Sequence, residues 1–240
     1  MEENKDLIVN YQLSISNFKI DIVRKSIKNM HLSVYPPTGR VRIAVPLNVV
    51  DETIRLFAIS KLSWIKRNQR KYEKQERQSP RIFVDRESHY FQGRRYLLRV
   101  TEHNATPKVL IKTKTHIDLF VRPEIGVEQR LVIINEWYRK QLKNQIPELI
   151  NKWEKIMEVS VSDWGVRQMK TKWGSCNIEQ KRIWLNLELA KKSNVCLEYL
   201  IIHEMVHLLE RNHNERFEFY MNKFLANWRS IKKELNKIVT

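Results

Sequence analysis

The sequence predicts an α+β protein, and three observations predict it. Apolar residues alternate with period two early in the chain and again ahead of Pro123. In other stretches they recur every three or four positions, and the changes of period fall at Pro, Gly or capping residues. The composition, 42% hydrophobic and 30% charged with 5 Gly and 7 Pro in 240 residues, is that of a folded chain and excludes collagen-like, low-complexity and largely disordered classes. The expected layout is a β-hairpin-rich N-terminal unit over 1–125 with one long basic helix at about 51–77, then a C-terminal unit over 126–240 with a small sheet and several helices.

Leu32 and Val34, then Val41, Ile43 and Val45, flank Pro36-Pro37-Thr38-Gly39 and predict a hairpin. After Asp51, an N-cap candidate, Ile54, Phe57, Ala58, Leu62 and Ile65 follow helical spacing. The other face carries Lys61, Lys66, Arg67, Arg70, Lys71, Lys74 and Arg77, with Trp64 and Tyr72 interleaved, and Ser79-Pro80 closes the helix. Strand patterns return at Ile82 to Val84, at Tyr90-Phe91 and Tyr96 to Val100 around Gly93, at Val109 to Ile111, and at Ile117, Leu119 and Val121. Pro123 and Gly126 mark the expected boundary between the units. From Val127, the residues Leu131, Ile134, Tyr138, Leu142, Ile146, Leu149 and Trp153 predict a helix that Pro147 should kink or split. Short strands are expected near Val159 to Val161, Val166 to Met169 and Ile183 to Leu189, with helices to the end. No internal repeat is visible.

The net charge of +17 predicts affinity for polyanions, and the basic helix would supply weak nucleic-acid binding. Its blander reading is a solvated helix face with core aromatics. Two cysteines, Cys176 and Cys196, are too few for a disulfide framework, and the polar start Met1-Glu2-Glu3-Asn4 is no signal peptide. A cytoplasmic location is the expectation. No apolar run approaches the roughly 20 residues that cross a bilayer, so no membrane partner is expected. Oligomeric state is not legible.

The chemistry concentrates late in the chain. Leu197 to Leu209 is apolar around nearly its whole circumference, so as a helix at about 195–211 it should be buried. His203, Glu204 and His207 then need a reason to be inside, since polar groups without partners are costly there. His203 and His207 are i and i+4 on one face, the spacing that lets two imidazoles share one tetrahedral Zn²⁺, and Glu204 beside them is free to act as a base. His213 follows where Asn212 offers a left-handed helix stop, and Asn214 can cap a further helix bearing Phe217, Tyr220, Met221, Phe224, Leu225 and Trp228. One zinc ion per chain is expected, with metal ligands His203, His207 and His213 and catalytic Glu204.

Arg167 to Cys176 (R-Q-M-K-T-K-W-G-S-C), Ile183-Trp184-Leu185-Asn186-Leu187 and the segment His203 to Phe217 together resemble the YgjP-like metallopeptidase family, and Arg24 to Ile65 resembles its N-terminal β-rich region. The resemblance implies a zinc-dependent hydrolase of the zincin type, with a C-terminal zincin-like helical domain, the same three ligands and the same base. The ligand spacing also equals that of metzincins, but Glu210 stands where metzincins carry a turn-forming Gly, so their specificity is not carried over.

Other residues are weighed against plain structural roles. Gly174 in Trp173-Gly174-Ser175-Cys176 marks either close backbone approach or a bulge. Cys176 is a candidate nucleophile or ligand, though a free cysteine usually packs as a small hydrophobe, and Cys196 reads as core. Lys170, Lys172 and Arg167 could bind a substrate anion, or they could line a solvated face. Glu188 and Glu218 are candidates to orient a ligand imidazole. Three functions are therefore carried forward: a zinc metallopeptidase with peptide or protein substrates, a metal-dependent hydrolase of nucleotides or phosphoanhydrides, and a basic nucleic-acid-associated protein with structural zinc.

Overall fold

The computed structural model describes residues 10–15, 17–35, 38–73 and 81–237. Within them the chain is α+β and divides into two compact units between Arg77 and Gln78.

The first unit begins with β1 (Asn10–Ile15), β2 (Phe18–Lys25), β3 (His31–Tyr35) and β4 (Arg40–Pro46). They form one sheet of order β1-β2-β4-β3, in which β2 and β4 are parallel and the outer pairs antiparallel. The hairpin expected from Val34 and Val41 is present, with those two residues opposite each other, while Pro36-Pro37 in its loop lies outside the described residues. Alternation puts Ile20, Ile22, Val41, Ile43 and Val45 on the inner face. There they pack with Ile54, Ala58 and Ile65 from two helices, α1 (Asp51–Ser60) and α2 (Leu62–Glu73). The single helix expected over 51–77 thus breaks at Lys61, whose amide reaches back to the Ala58 carbonyl at 3.1 Å in a tightened turn. Lys74, Arg77 and Ser79-Pro80 lie outside the described residues, as do the side chains of Lys71 and Tyr72.

The second unit opens with β5 (Ser88–Phe91), β6 (Arg94–Glu102), β7 (Lys108–Leu110) and β8 (His116–Val121). Their sheet has order β5-β6-β8-β7, again with the inner pair parallel and the outer pairs antiparallel. This is the topology of β1 to β4, and a helix follows the sheet in each unit. The chain therefore contains a structural repeat that its sequence does not display, because alternation and turn chemistry specify a hairpin without requiring the same side chains twice. The β5–β6 turn needs positive φ at two successive residues, supplied by Gln92 at 49° and Gly93 at 77°. Residues Ile82 to Val84, expected as a strand, are irregular.

The second unit continues with α3 (Val127–Met157), β9 (Asp163–Arg167), β10 (Gly174–Asn177) and β11 (Arg182–Asn186). A 3-10 turn at Leu187–Lys191 leads into α4 (Asn194–Val206), α5 (Glu215–Phe224) and α6 (Trp228–Leu235). Pro147 neither ends nor splits α3, which runs through it and is stopped by Glu158 in the left-handed conformation. The segment Val159 to Val161 is not a strand. The helix expected from Phe217 through Trp228 is divided into α5 and α6 around Leu225 to Asn227.

The boundary expected at Pro123–Gly126 is corrected by the core. Leu98, Ile117 and Leu119 of the β5–β8 sheet belong to one buried cluster with Ile134, Tyr138 and Ile146 of α3 and Ile201 and Met205 of α4. Pro123 and Gly126 therefore lie in a connection inside one unit.

Candidate metal centre

α4 is apolar on all sides and correspondingly buried, with Leu197, Ile201, Ile202, Met205 and Val206 nearly inaccessible. It is shorter than the expected 195–211: the helix ends at Val206, His207 caps it, and the amides of Leu208 and Leu209 turn back on Met205 and Val206. Asn212 is not left-handed and is not the stop. The turn is held by Glu210, whose carbonyl accepts from His207 Nδ1 at 3.2 Å and whose carboxylate accepts from the Asn212 amide at 3.0 Å. Asn214 caps α5 as expected, its side chain accepting from the Phe217 amide at 3.0 Å.

This path brings His213 back onto His203 and His207. One ring nitrogen from each lies within 4.8 Å of the others, and His203 Nε2 and His213 Nε2 are 3.1 Å apart. Ligand nitrogens about 2.0–2.1 Å from a tetrahedral zinc stand about 3.3 Å from one another. Because the Glu210 carbonyl can only accept, it puts the His207 proton on Nδ1 and leaves Nε2 with a free lone pair. His203 Nδ1 is buried without a hydrogen-bond partner among the described residues. Burial, first among the causes, lowers the pKa of all three imidazoles, that of His203 to about 3, so they are neutral at pH 7 as metal ligation requires. The three side chains fit one divalent ion.

Phe217 is the floor of the cluster. Its ring centroid lies 5.0, 4.9 and 4.6 Å from those of His203, His207 and His213. The helical pattern marked it only as an apolar position, since spacing along α5 does not reveal what the ring meets.

Glu204 is 4% exposed and belongs to a different face of α4 from the imidazole cluster. Burial pushes its pKa up to about 8, against which the Lys172 charge acts. Its carboxylate lies against β10: a Cβ placed on Gly174 would be 2.6 Å from Glu204 Oε1 and 3.1 Å from its Cγ. Of the two readings of Gly174, close approach is the one observed.

Histidines, carboxylate and β10 together line a cleft of about 850 Å³, with Lys172, Ser175, Cys176, Glu179, Glu210 and Arg211 also in its walls. The Cys176 thiol is pushed up to about 11 by burial and the nearby Glu204 charge, the opposite of what a nucleophile needs. Cys196 is fully buried beside Ser193 and Glu234, as core. Neither carboxylate proposed to orient a ligand is bound to an imidazole. Glu188 pairs with Lys191 at 2.7 Å and Glu218 with Arg229, while the acceptor at His207 is a backbone carbonyl. Arg167 stacks on Trp184 at 4.8 Å, which leaves Lys172 as the cleft cation among the three basic candidates.

Asn186 escaped the sequence reading as a functional position. It is 4% exposed, and its Nδ2 donates to the carbonyls of Met169 and Lys172 at 3.0 and 2.7 Å. Its own amide donates to the Trp173 carbonyl at 2.8 Å, so this one residue holds the loop leading into β10. A buried Asn at a strand end was the available signal.

Three imidazoles that meet within 4.8 Å, in the wall of a cleft that the Glu204 carboxylate also lines, make a site of the kind metal-dependent hydrolases use. The sequence profile of the YgjP-like metallopeptidase domain matches residues 28–238, and the chain belongs to that family of metal-dependent hydrolases. The chain is similar to solved structures, among them two metallopeptidase zymogens. One is the metallopeptidase zymogen abylysin of Pyrococcus abyssi, 18% identical, covering 37% of this chain and 90% of its own with a TM-score of 0.35. The other is the metallopeptidase zymogen jannalysin of Methanocaldococcus jannaschii, 22% identical, covering 38% and 93% with a TM-score of 0.35. Comparison with curated proteins gives no match. Among the described residues no helix is long and apolar enough to cross a membrane.

Proposed function

We propose that the protein is a zinc-dependent peptidase in which His203, His207 and His213 hold one zinc ion and Glu204 is the general base. The observation that carries this reading is the convergence of three neutral ring nitrogens within 4.8 Å beside a buried carboxylate. Bound there, zinc would lower the pKa of water toward 7 and polarise a carbonyl oxygen. Glu204 takes the proton from the attacking water and delivers it to the leaving amine nitrogen, the carboxylate returning to its starting charge. Its high pKa before metal enters reflects a carboxylate poor in compensating charge, which makes it a stronger base than an exposed glutamate.

Peptide is favoured over phosphoanhydride by β10. Among the described residues this strand pairs only with β11, so its other edge is available to an extended substrate backbone.

Elemental analysis of wild type and Glu204→Gln, paired with hydrolysis assays on peptides and nucleoside triphosphates, tests the reading. The expected result is one zinc per chain in both proteins and peptide hydrolysis in wild type alone. Turnover of triphosphates but not peptides, or undiminished turnover in Glu204→Gln, would overturn it.

A further inference from the structure

The strand wall of the cleft carries unlike charges at its two ends. Lys172 stands just ahead of β10 (Gly174–Asn177) and Glu179 just beyond it, and both line the cleft and are exposed. Among the described residues neither has an oppositely charged group within ion-pair distance. Across the cleft Glu210 and Arg211 are adjacent and opposite in sign, and the Glu210 carboxylate is engaged by the Asn212 amide at 3.0 Å. The net polarity therefore runs along β10.

The Lys172 backbone is also held firmly. Asn186 fixes its carbonyl at 2.7 Å, and the next residue, Trp173, donates from Nε1 to Asn236 Oδ1 at 3.1 Å. A long cationic side chain on a fixed base, next to the general-base carboxylate, meets whatever lies on that end of the strand.

We propose that the cleft selects its peptide by charge order: an extended segment along β10 carries an acidic residue at the Lys172 end and a basic residue at the Glu179 end. The inference rests on the peptidase reading for its substrate class. Both protein charges are in water, so each contact contributes a few-fold in binding. The preference is read as a ratio of KM between the two charge orders, since the Lys172 charge also acts on Glu204 and its exchange changes kcat for all three peptides alike.

The test uses the zinc-loaded 240-residue chain and three peptides that share one apolar core. One has neutral flanks, one an acidic residue before and a basic residue after the core, and one the reverse order. Wild type is expected to show a KM about fivefold lower for one charged order than for the other. Exchange of the pair, Lys172→Glu with Glu179→Lys, is expected to reverse that ranking, and Lys172→Gln with Glu179→Gln to flatten it. Fluorescence anisotropy of the same labelled peptides on Glu204→Gln reads the preference without turnover. Equal affinity for both orders, or a ranking that survives the exchange, overturns the inference. A ranking in anisotropy that follows the exchange, with no cleavage of any peptide, supports charge selection while removing the peptidase reading.

Discussion

Gly174 and Glu204 are in contact through the space a side chain would occupy: a Cβ at 174 would lie 2.6 Å from Glu204 Oε1. Glu204 is 4% exposed, so its carboxylate can move only within the cleft wall it shares with β10. Gly174→Ala is expected to push the carboxylate off its line to the cleft. A displacement near 1 Å costs about a hundredfold in rate, and the atoms nearest that Cβ all belong to Glu204, not to the proposed ligands His203, His207 and His213. The check is kcat alongside zinc content: a large fall in turnover at unchanged stoichiometry is expected, and unaltered turnover would separate Gly174 from the function of Glu204.

The pH dependence of metal-free stability follows from Glu204. Its folded pKa, about 8, lies above the ordinary value of 4.5, so between these the folded chain binds more protons than the unfolded chain. Its contribution therefore favours the fold at low pH and is lost as pH rises toward 8. In zinc-stripped protein, the melting temperature of Glu204→Gln minus that of wild type is expected to grow between about pH 5 and 8. A difference that is flat with pH in this window would show that Glu204 is not held in the buried, proton-binding state.

Phe217 touches all three imidazoles, with its ring 4.6 Å from that of His213 at the closest. Phe217→Leu opens space beneath the cluster and is expected to cost about 1–2 kcal/mol of stability. Loosened ligands should weaken zinc about tenfold, the lower range for residues that orient metal-binding histidines. Competition against a chromophoric chelator measures this, and wild-type affinity in the variant would show that the ring only fills volume.

Asn186→Asp keeps shape and removes both side-chain donors to Met169 and Lys172. It leaves two carbonyls facing a carboxylate instead of an amide. Urea denaturation is expected to show a loss of about 2–3 kcal/mol, and peptide KM should rise because the loop ahead of β10 loses its anchor. Stability equal to wild type would mean that solvent or a shifted loop replaces those hydrogen bonds.

Zinc itself is expected to raise the melting temperature in proportion to the logarithm of its concentration above Kd. One hundred times Kd corresponds to about 2.7 kcal/mol. His203→Ala should abolish the response, and a persistent response would place the ion elsewhere.

Short-range pattern and long-range packing specify different parts of this molecule. The α+β class, the hairpin joining Leu32 to Val45, the long α3 and the geometry of His203 and His207 were legible because each is written at short range, as a period or an i, i+4 spacing. Asn214 as a cap was legible for the same reason. The break at Lys61, the survival of α3 through Pro147 and the true end of α4 were not, because packing overrides local preference at such points. The expected boundary at Pro123 failed because turn residues mark a loop, whereas a unit is defined by which side chains share a core. By itself, the sequence determined the family, the three candidate ligands and the neighbouring carboxylate. Tertiary structure alone decided that Gly174 admits Glu204, that Phe217 supports the imidazoles, that Lys172 rather than Arg167 lines the cleft, and that one sheet topology occurs twice. These are relations between segments distant along the chain, and they come into being only when burial of apolar surface brings those segments together.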